Sequence, residues 1–299
     1  MPGTLSESQR PADEPQSSPV KRIGRYRLVR RIGQGATGQV FLAQDERNGQ
    51  WVALKTIRLD EPFCDDEQAV ARDRFLREAQ TARQLSHPGI VAVLDAGATD
   101  GMAWIAMEAI AGTDLTRYTR PSRLLPEPLV ARIGARVARA LAYAHTRGVV
   151  HRDVKPGNIL VDLPGDAVKL TDFGVARQLD HSHTRSGVVL GSPEYMAPEL
   201  LAGAEAGPAA DLYGLGVTLY ELLAGRRPYQ ADTMGALLRA VATEAAPDLR
   251  ALRPELPLLI CKAVMLCLAK KPGAREQDAA VLAKQLEEPW DKVAAHSGS

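Results

Sequence analysis

Cysteine is scarce in this chain of 299 residues: only Cys64, Cys261 and Cys267 are present. They show no CxxC spacing and no neighbouring His in metal-ligand register. That argues against a disulfide framework and for free thiols in a reducing compartment. Cys261 and Cys267 fall in an apolar helical pattern and read as core. An excess of one charge is also lacking. The formal net charge is +1, so no overall field points to nucleic acid or an anionic membrane. The basic run Lys21, Arg22, Arg25, Arg27, Arg30 and Arg31 reads as a solvated strand face. Long hydrophobic runs are missing too. Leu256–Ala269 is the longest, is broken by Lys262, and falls short of the ~20 residues a membrane span needs. Residues 1–20 are rich in Ser, Pro, Glu and Gln and hold no apolar segment that could act as a signal peptide. The expectation is a soluble, cytoplasmic protein without internal repeats.

What is present is ordinary for a globular protein: 45% apolar and 24% charged residues. Residues 1–22 read as a disordered tail, and 289–299 as a second tail. Between them the texture changes once. Tyr26–Ile32, Gln39–Gln44 and Trp51–Ile57 read as strands, with a turn at Asn48-Gly49, and Val91–Gly97 and Met102–Met107 continue the style. One helix interrupts them, Asp66–Leu85. After Gly112 helices dominate: Pro128–Arg147, Ala209–Ala224, Thr233–Thr243, Leu256–Ala269 and Asp278–Glu288. This pattern predicts a small β-rich lobe over residues 23–107, a hinge at 108–111 and a larger helical lobe over 112–288. A cleft between two lobes is a natural small-molecule site.

Four segments carry chemistry. Gly33-x-Gly35-x-x-Gly38-x-Val40 lies between two expected strands, so it reads as a glycine-rich hairpin over phosphates and not as a dinucleotide turn, which would open a helix. Lys55 ends the apolar strand Val52-Ala53-Leu54-Lys55. It is expected to face α- and β-phosphates, with Glu78 placed on the following helix to pair with it. His151-Arg152-Asp153-Val154-Lys155-Pro156-Gly157-Asn158 follows a strand-like Gly148-Val149-Val150, and Pro156-Gly157 forces a loop. There Asp153 can accept a hydroxyl proton, Asn158 can offer an amide oxygen to Mg²⁺, and Lys155 brings positive charge to a moving phosphoryl group. Asp172-Phe173-Gly174 follows the expected strand Ala167–Thr171 and supplies a hard oxygen ligand at its end.

Together with Ala197-Pro198-Glu199, these motifs stand in the order that resembles the eukaryotic-type, or Hanks-type, Ser/Thr protein kinase family, nearest in character to bacterial members. The resemblance runs from about Tyr26 to Gln285. It implies an α+β, bilobal protein-kinase-like fold with one helix in the small lobe. It implies a nucleotide covered by Ile32, Gly33, Gln34, Gly35, Ala36, Thr37 and Gly38, with Thr37 at a tip where many relatives carry an aromatic. Val40, Ala53 and Leu160 would sandwich the adenine, Met107 would be the gatekeeper, and the backbone of Glu108 and Ile110 would read the base. Lys55 and Glu78 would form an ion pair, Asn158 and Asp172 would hold Mg²⁺ (Mn²⁺ being able to substitute), and Asp153 with Lys155 would serve catalysis on protein Ser/Thr hydroxyls at the expense of ATP.

Lys155 resembles the Ser/Thr class, since tyrosine kinases usually carry Ala-Ala-Arg in that region, and Gly191–Glu199 resembles the substrate-docking segment of that class. Ser192 stands where Thr is commoner, Asp211 resembles the helix anchor of the catalytic loop, and Arg275 resembles the partner of Glu199. As a mere surface ion pair that contact would contribute under about 1 kcal/mol. Arg152 before Asp153 goes with activation-loop control in the family. Thr184 and Ser186, in a polar segment from Arg177 to Leu190, resemble paired autophosphorylation sites modified in trans, which a homodimer would serve. Two other classes compete: a catalytically silent scaffold of the same fold, against which every lysine and metal position is filled, and a small-molecule phosphotransferase, against which Ala197-Pro198-Glu199 argues.

Overall fold

The computed structural model describes residues 21–35, 38–58, 65–99, 102–173 and 192–297. The amino-terminal part is a six-stranded antiparallel sheet of β1 (Arg22–Ile23), β2 (Tyr26–Gly35), β3 (Gly38–Asp45), β4 (Trp51–Arg58), β5 (Val93–Thr99) and β6 (Met102–Glu108), in the order β1-β2-β3-β4-β6-β5. Alternation along the strands gives this sheet two apolar faces. Val52 and Leu54 of β4 join Trp104 and Ala106 of β6 beneath Tyr26 and Ala43. On the other face Ile57, Ala103, Ile105 and Met107 meet Phe75 and Ala79 of the helix α1 (Asp65–Arg83). The basic run at the start is solvated but paired: Arg25 bridges Asp45 and Asp95 at 2.8 Å each, and Arg22 reaches Glu46 at 3.0 Å.

The rest is helical around one buried rod. In α4 (Pro208–Ala224) every residue from Ala210 to Leu223 is buried, as expected for a helix apolar on all sides. Around it pack α2 (Glu127–His145), α6 (Leu249–Leu252) and α7 (Leu258–Cys267), with α8 (Ala279–Ser297) lying on α2 and α7. The short α3 (Pro198–Leu201) packs against α5 (Met234–Thr243). β7 (Thr113–Asp114), β8 (Ile159–Asp162) and β9 (Ala167–Leu170) form a three-stranded sheet, and Leu170 of β9 bridges to Ile90 just before β5. Cys261 and Cys267 are buried core thiols, and burial pushes Cys267 up to about 12. Among the described residues no helix is long and apolar enough to cross a membrane.

Two local expectations are corrected. Residues 148–150 form no strand, because the chain leaves α2 through Gly148 at φ +71° and goes directly into the loop. The last helix does not stop at Glu288 but runs to Ser297. Trp290 continues the core-facing spacing of Leu282 and Leu286 and packs against the helical core, so Pro289 is accommodated and part of the expected tail is helix.

Candidate active site

The register of β8 against β9 places Ile159 opposite Leu170, and Thr171 N–H donates to Asn158 O at 2.9 Å. Asn158 before one strand and Asp172 after the other therefore emerge at the same end of the ribbon. Asn158 Nδ2 donates to Asp153 O (2.7 Å) and Asp153 Oδ2 (3.0 Å), which leaves its amide oxygen as the group for a cation. Lys155 Nζ lies 2.7 Å from Asp153 Oδ2 and donates to Ser192 Oγ at 3.1 Å. The catalytic loop and the segment beginning at Ser192 are thus joined through one ammonium.

This loop is held from below by a carboxylate. Asp211, in the first turn of α4 and nearly inaccessible, accepts from His151 N–H (2.8 Å) and Arg152 N–H (2.7 Å), and lies 2.8 Å from His145 Nε2. Two converging backbone amides hold Arg152 at φ +73°, a left-handed conformation that a long side chain rarely adopts unaided. Gly214 on the same helix is needed for close approach, since a Cβ there would lie 2.7 Å from Val154 O. His151 is fully buried. Its Nε2 lies 2.8 Å from Thr171 O, and its ring meets Phe173 edge-on at 4.6 Å.

Lys55 projects from β4, between Val40 of β3 and Ile105 of β6. Among the ion pairs of the described residues, its partner is Asp172 Oδ2 at 2.9 Å. The pairing with Glu78 implied by the resemblance is not the one formed. Glu78 is half-buried on α1 and has interactions of its own. Asp172, at φ +66°, presents its carboxylate to Lys55. Burial pushes the Asp172 carboxyl up, but the Lys55 ammonium and its hydrogen bond, with His151 and Lys155 beyond, outweigh it and hold the group below the ordinary carboxylate range. An ionised carboxylate beside an amide oxygen is a hard-oxygen donor set, and it fits Mg²⁺.

Some of the remaining expected residues lie near one another. Ala53, Ile110 and Leu160 pack against the cluster containing Met107, and Val40 sits across from Lys55. Gly38 is demanded by sterics, because a Cβ there would fall 1.8 Å from Thr56 O; Gly33 would make only ordinary contacts with Val40 at 3.6 Å. Ile32 and Gln34 lie on β2 ahead of the loop tip. Ala36, Thr37, Cys64, Gly174, Thr184 and Ser186 lie outside the described residues.

One partnership had no local signal in the sequence, and one expected pair proved to be buried. Tyr195 Oη donates to Glu221 Oε2 at 2.6 Å, so a second buried carboxylate of α4 holds the segment after Ser192 as Asp211 holds the loop at 151–152. Burial raises Glu221, against the lowering effect of the Tyr195 hydrogen bond, and burial likewise raises Tyr195. Arg275 is not a surface residue. Its side chain is 0% exposed and it grips Glu199 with two nitrogens at 2.6 and 2.7 Å.

Comparison with known proteins agrees with this geometry. Residues 26–281 match the protein kinase domain family. PknA of Mycobacterium tuberculosis, a serine/threonine-protein kinase, is 39% identical over 262 residues, covering 86% of this chain and 59% of that protein. The DNA damage-responsive serine/threonine-protein kinase RqkA of Deinococcus radiodurans is 38% identical over 266 residues, covering 87% and 39%. The crystal structure of the Mycobacterium tuberculosis PknI kinase domain superposes with a TM-score of 0.72 at 34% identity, covering 91% of this chain and 98% of that one. The chain belongs to the protein kinase domain family, and its relatives are bacterial serine/threonine-protein kinases of the Hanks type. It spans between 39% and 59% of the length of the two full-length relatives named.

Proposed function

We propose that this chain transfers the γ-phosphoryl group of ATP to Ser and Thr hydroxyls of proteins. The observation that carries the reading is the convergence of Asp153, Lys155 and Asn158 within hydrogen-bond reach of one another, beside the Lys55–Asp172 pair. Asp153 orients the acceptor hydroxyl and takes its proton as the oxygen bonds to phosphorus and the bond to ADP breaks. Lys155 faces the developing charge and, through Ser192, ties it to the docking segment, which suits the Ser/Thr class. Lys55 neutralises the α- and β-phosphates, and the glycine hairpin closes over them. Asn158 and Asp172 would hold Mg²⁺, which supplies charge neutralisation on the phosphates. Ala53, Val40 and Leu160 enclose the adenine, and the backbone of Glu108 and Ile110 reads its edge. Substrates are cytoplasmic proteins and a second copy of the chain, modified in trans at Thr184 and Ser186, whose phosphates would pair with Arg152.

The test is incubation of the whole chain with ATP and Mg²⁺, followed by intact mass and phosphosite mapping. Asp153→Asn should retain ATP binding and lose most turnover, whereas Asp172→Asn should also lose Mg²⁺-dependent nucleotide binding. Equal phosphorylation by wild type and Asp153→Asn overturns the assignment. Full activity and unchanged phosphate stoichiometry in Thr184→Ala/Ser186→Ala overturns the loop sites.

A further inference from the structure

Four consecutive residues, the last two of β9 and the two that follow it, each contact the amino-terminal part of the molecule. Lys169 Nζ pairs with Glu108 Oε1 at 2.5 Å. Leu170 exchanges backbone hydrogen bonds with the segment before β5, donating to Gly89 O at 2.8 Å and accepting from Val91 N–H at 2.9 Å. Thr171 Oγ1 lies 3.8 Å from Met107 Sδ. Asp172 pairs with Lys55. Alternation accounts for the division: Val168 and Leu170 point into the helical core, while Lys169 and Thr171 point at the end of β6.

Glu108 is the junction. Its N–H donates to Ala92 O at 3.0 Å, and its carboxylate accepts from Ala92 N–H at 2.8 Å, so it clasps both backbone groups of that residue. The same carboxylate oxygen takes Lys169. Lys169 is in turn the cross-strand neighbour of Leu160. Glu108, the Ala92–Val91 backbone, Leu170 and Lys169 thus close a ring through three segments: the end of β6, the segment before β5, and β9, which pairs with the strand bearing Leu160 and leads into Asp172.

We infer that Lys169 is a positioning residue for nucleotide, acting through Glu108. The pair fixes the end of β6 against β9, so that the adenine side and the metal side of the cleft keep one spacing. The inference rests on the proposed nucleotide site. It concerns binding and not phosphoryl transfer, because Lys169 turns its charge to Glu108 and not to Asp153.

The experiment is a double-mutant cycle on the whole chain, with the dissociation constant of a fluorescent ATP analogue in Mg²⁺ as readout. The side chains are 20% and 27% exposed, so the expected effect is modest. Lys169→Met should weaken binding about two- to fivefold, the scale of a partly exposed pair, with kcat at saturating ATP within about twofold of wild type. Glu108→Gln keeps an acceptor for Ala92 N–H and should weaken binding similarly. The double variant should be no worse than the weaker single, and Lys169→Arg should restore affinity. A silent Lys169→Met, additive losses, or a fall in thermal stability without a change in affinity overturns the inference. Absence of binding by the wild type itself would instead refute the nucleotide site.

Discussion

Arg275 offers the sharpest quantitative test of the fold. All five of its N–H groups are used: Nε to Ala269 O at 2.7 Å, one terminal nitrogen to Glu199 Oε1 (2.6 Å) and Ala209 O (2.9 Å), the other to Glu199 Oε2 (2.7 Å) and Lys270 O (3.0 Å). The guanidinium also lies 4.9 Å from the Tyr213 ring centre. It therefore joins the Ala197-Pro198-Glu199 segment, the start of α4 and the loop after α7. We predict that Arg275→Lys, which keeps the charge, is still severely destabilising. Lysine has three donors on one atom and cannot reproduce the planar fork. At least two buried acceptors are left unmet, each costing about 1–3 kcal/mol, so a net loss of about 2–4 kcal/mol is expected after partial compensation. Arg275→Met should cost about 3–5 kcal/mol, since it leaves the Glu199 carboxylate uncompensated. Urea unfolding followed by tryptophan fluorescence reads this directly. With a slope near ~3 kcal/mol/M, Arg275→Lys should lower the midpoint by about 1 M without changing the slope. Adding Glu199→Gln should expose a coupling of about 1 kcal/mol or more. A loss below about 1 kcal/mol for Arg275→Lys is the value of an exposed pair, and would refute the claim that this contact organises the docking segment.

Three more outcomes follow from the geometry. Tyr195→Phe removes the 2.6 Å bond to buried Glu221 and should cost about 1.5–3 kcal/mol, with a rise in KM for a peptide substrate larger than any change in KM for ATP; a change confined to ATP would contradict the docking role. Gly38→Ala forces β3 from β4 and should cost about 1–3 kcal/mol and weaken nucleotide binding, whereas Gly33→Ala should be close to wild type; equal effects in thermal melts would refute the steric account. Because the folded-state pKa of Asp172 lies below its ordinary 3.8, its contribution to stability is present above that value and lost as pH falls through the folded pKa. The stability gap between wild type and Asp172→Asn should therefore stay level from about pH 7 to 5 and close only below about pH 4; closure between pH 7 and 5 in urea titrations would show that the carboxylate is not held ionised.

Much of the architecture was legible from pattern. Strands with period two and helices with period 3.6 mark their own interiors, which is why β4, β6, α2 and α4 fall within a residue or two of expectation. Ends and partners were less legible. Trp290 extends α8 because its ring finds the core, and Val149-Val150, although β-branched, forms no strand because no neighbour pairs with it. The Arg275–Glu199 pair was expected from the resemblance, but its burial was not legible, because exposure depends on what the rest of the chain lays over it.

The sequence alone determined which groups are available: an aspartate and a lysine two residues apart, an asparagine five beyond the aspartate, a second aspartate after an apolar strand, and glycines ahead of Val40. Local spacing and steric rules are enough for that. Only the tertiary structure decided some of the polar pairings: Lys55 with Asp172, Lys169 with Glu108 and Tyr195 with Glu221. Those pairs are separated by 26 to 117 residues along the chain, and local spacing rules do not reach across such distances. Packing around α4 and the register of β8 on β9 supply it, because a buried polar group must find its partner wherever the fold has placed one.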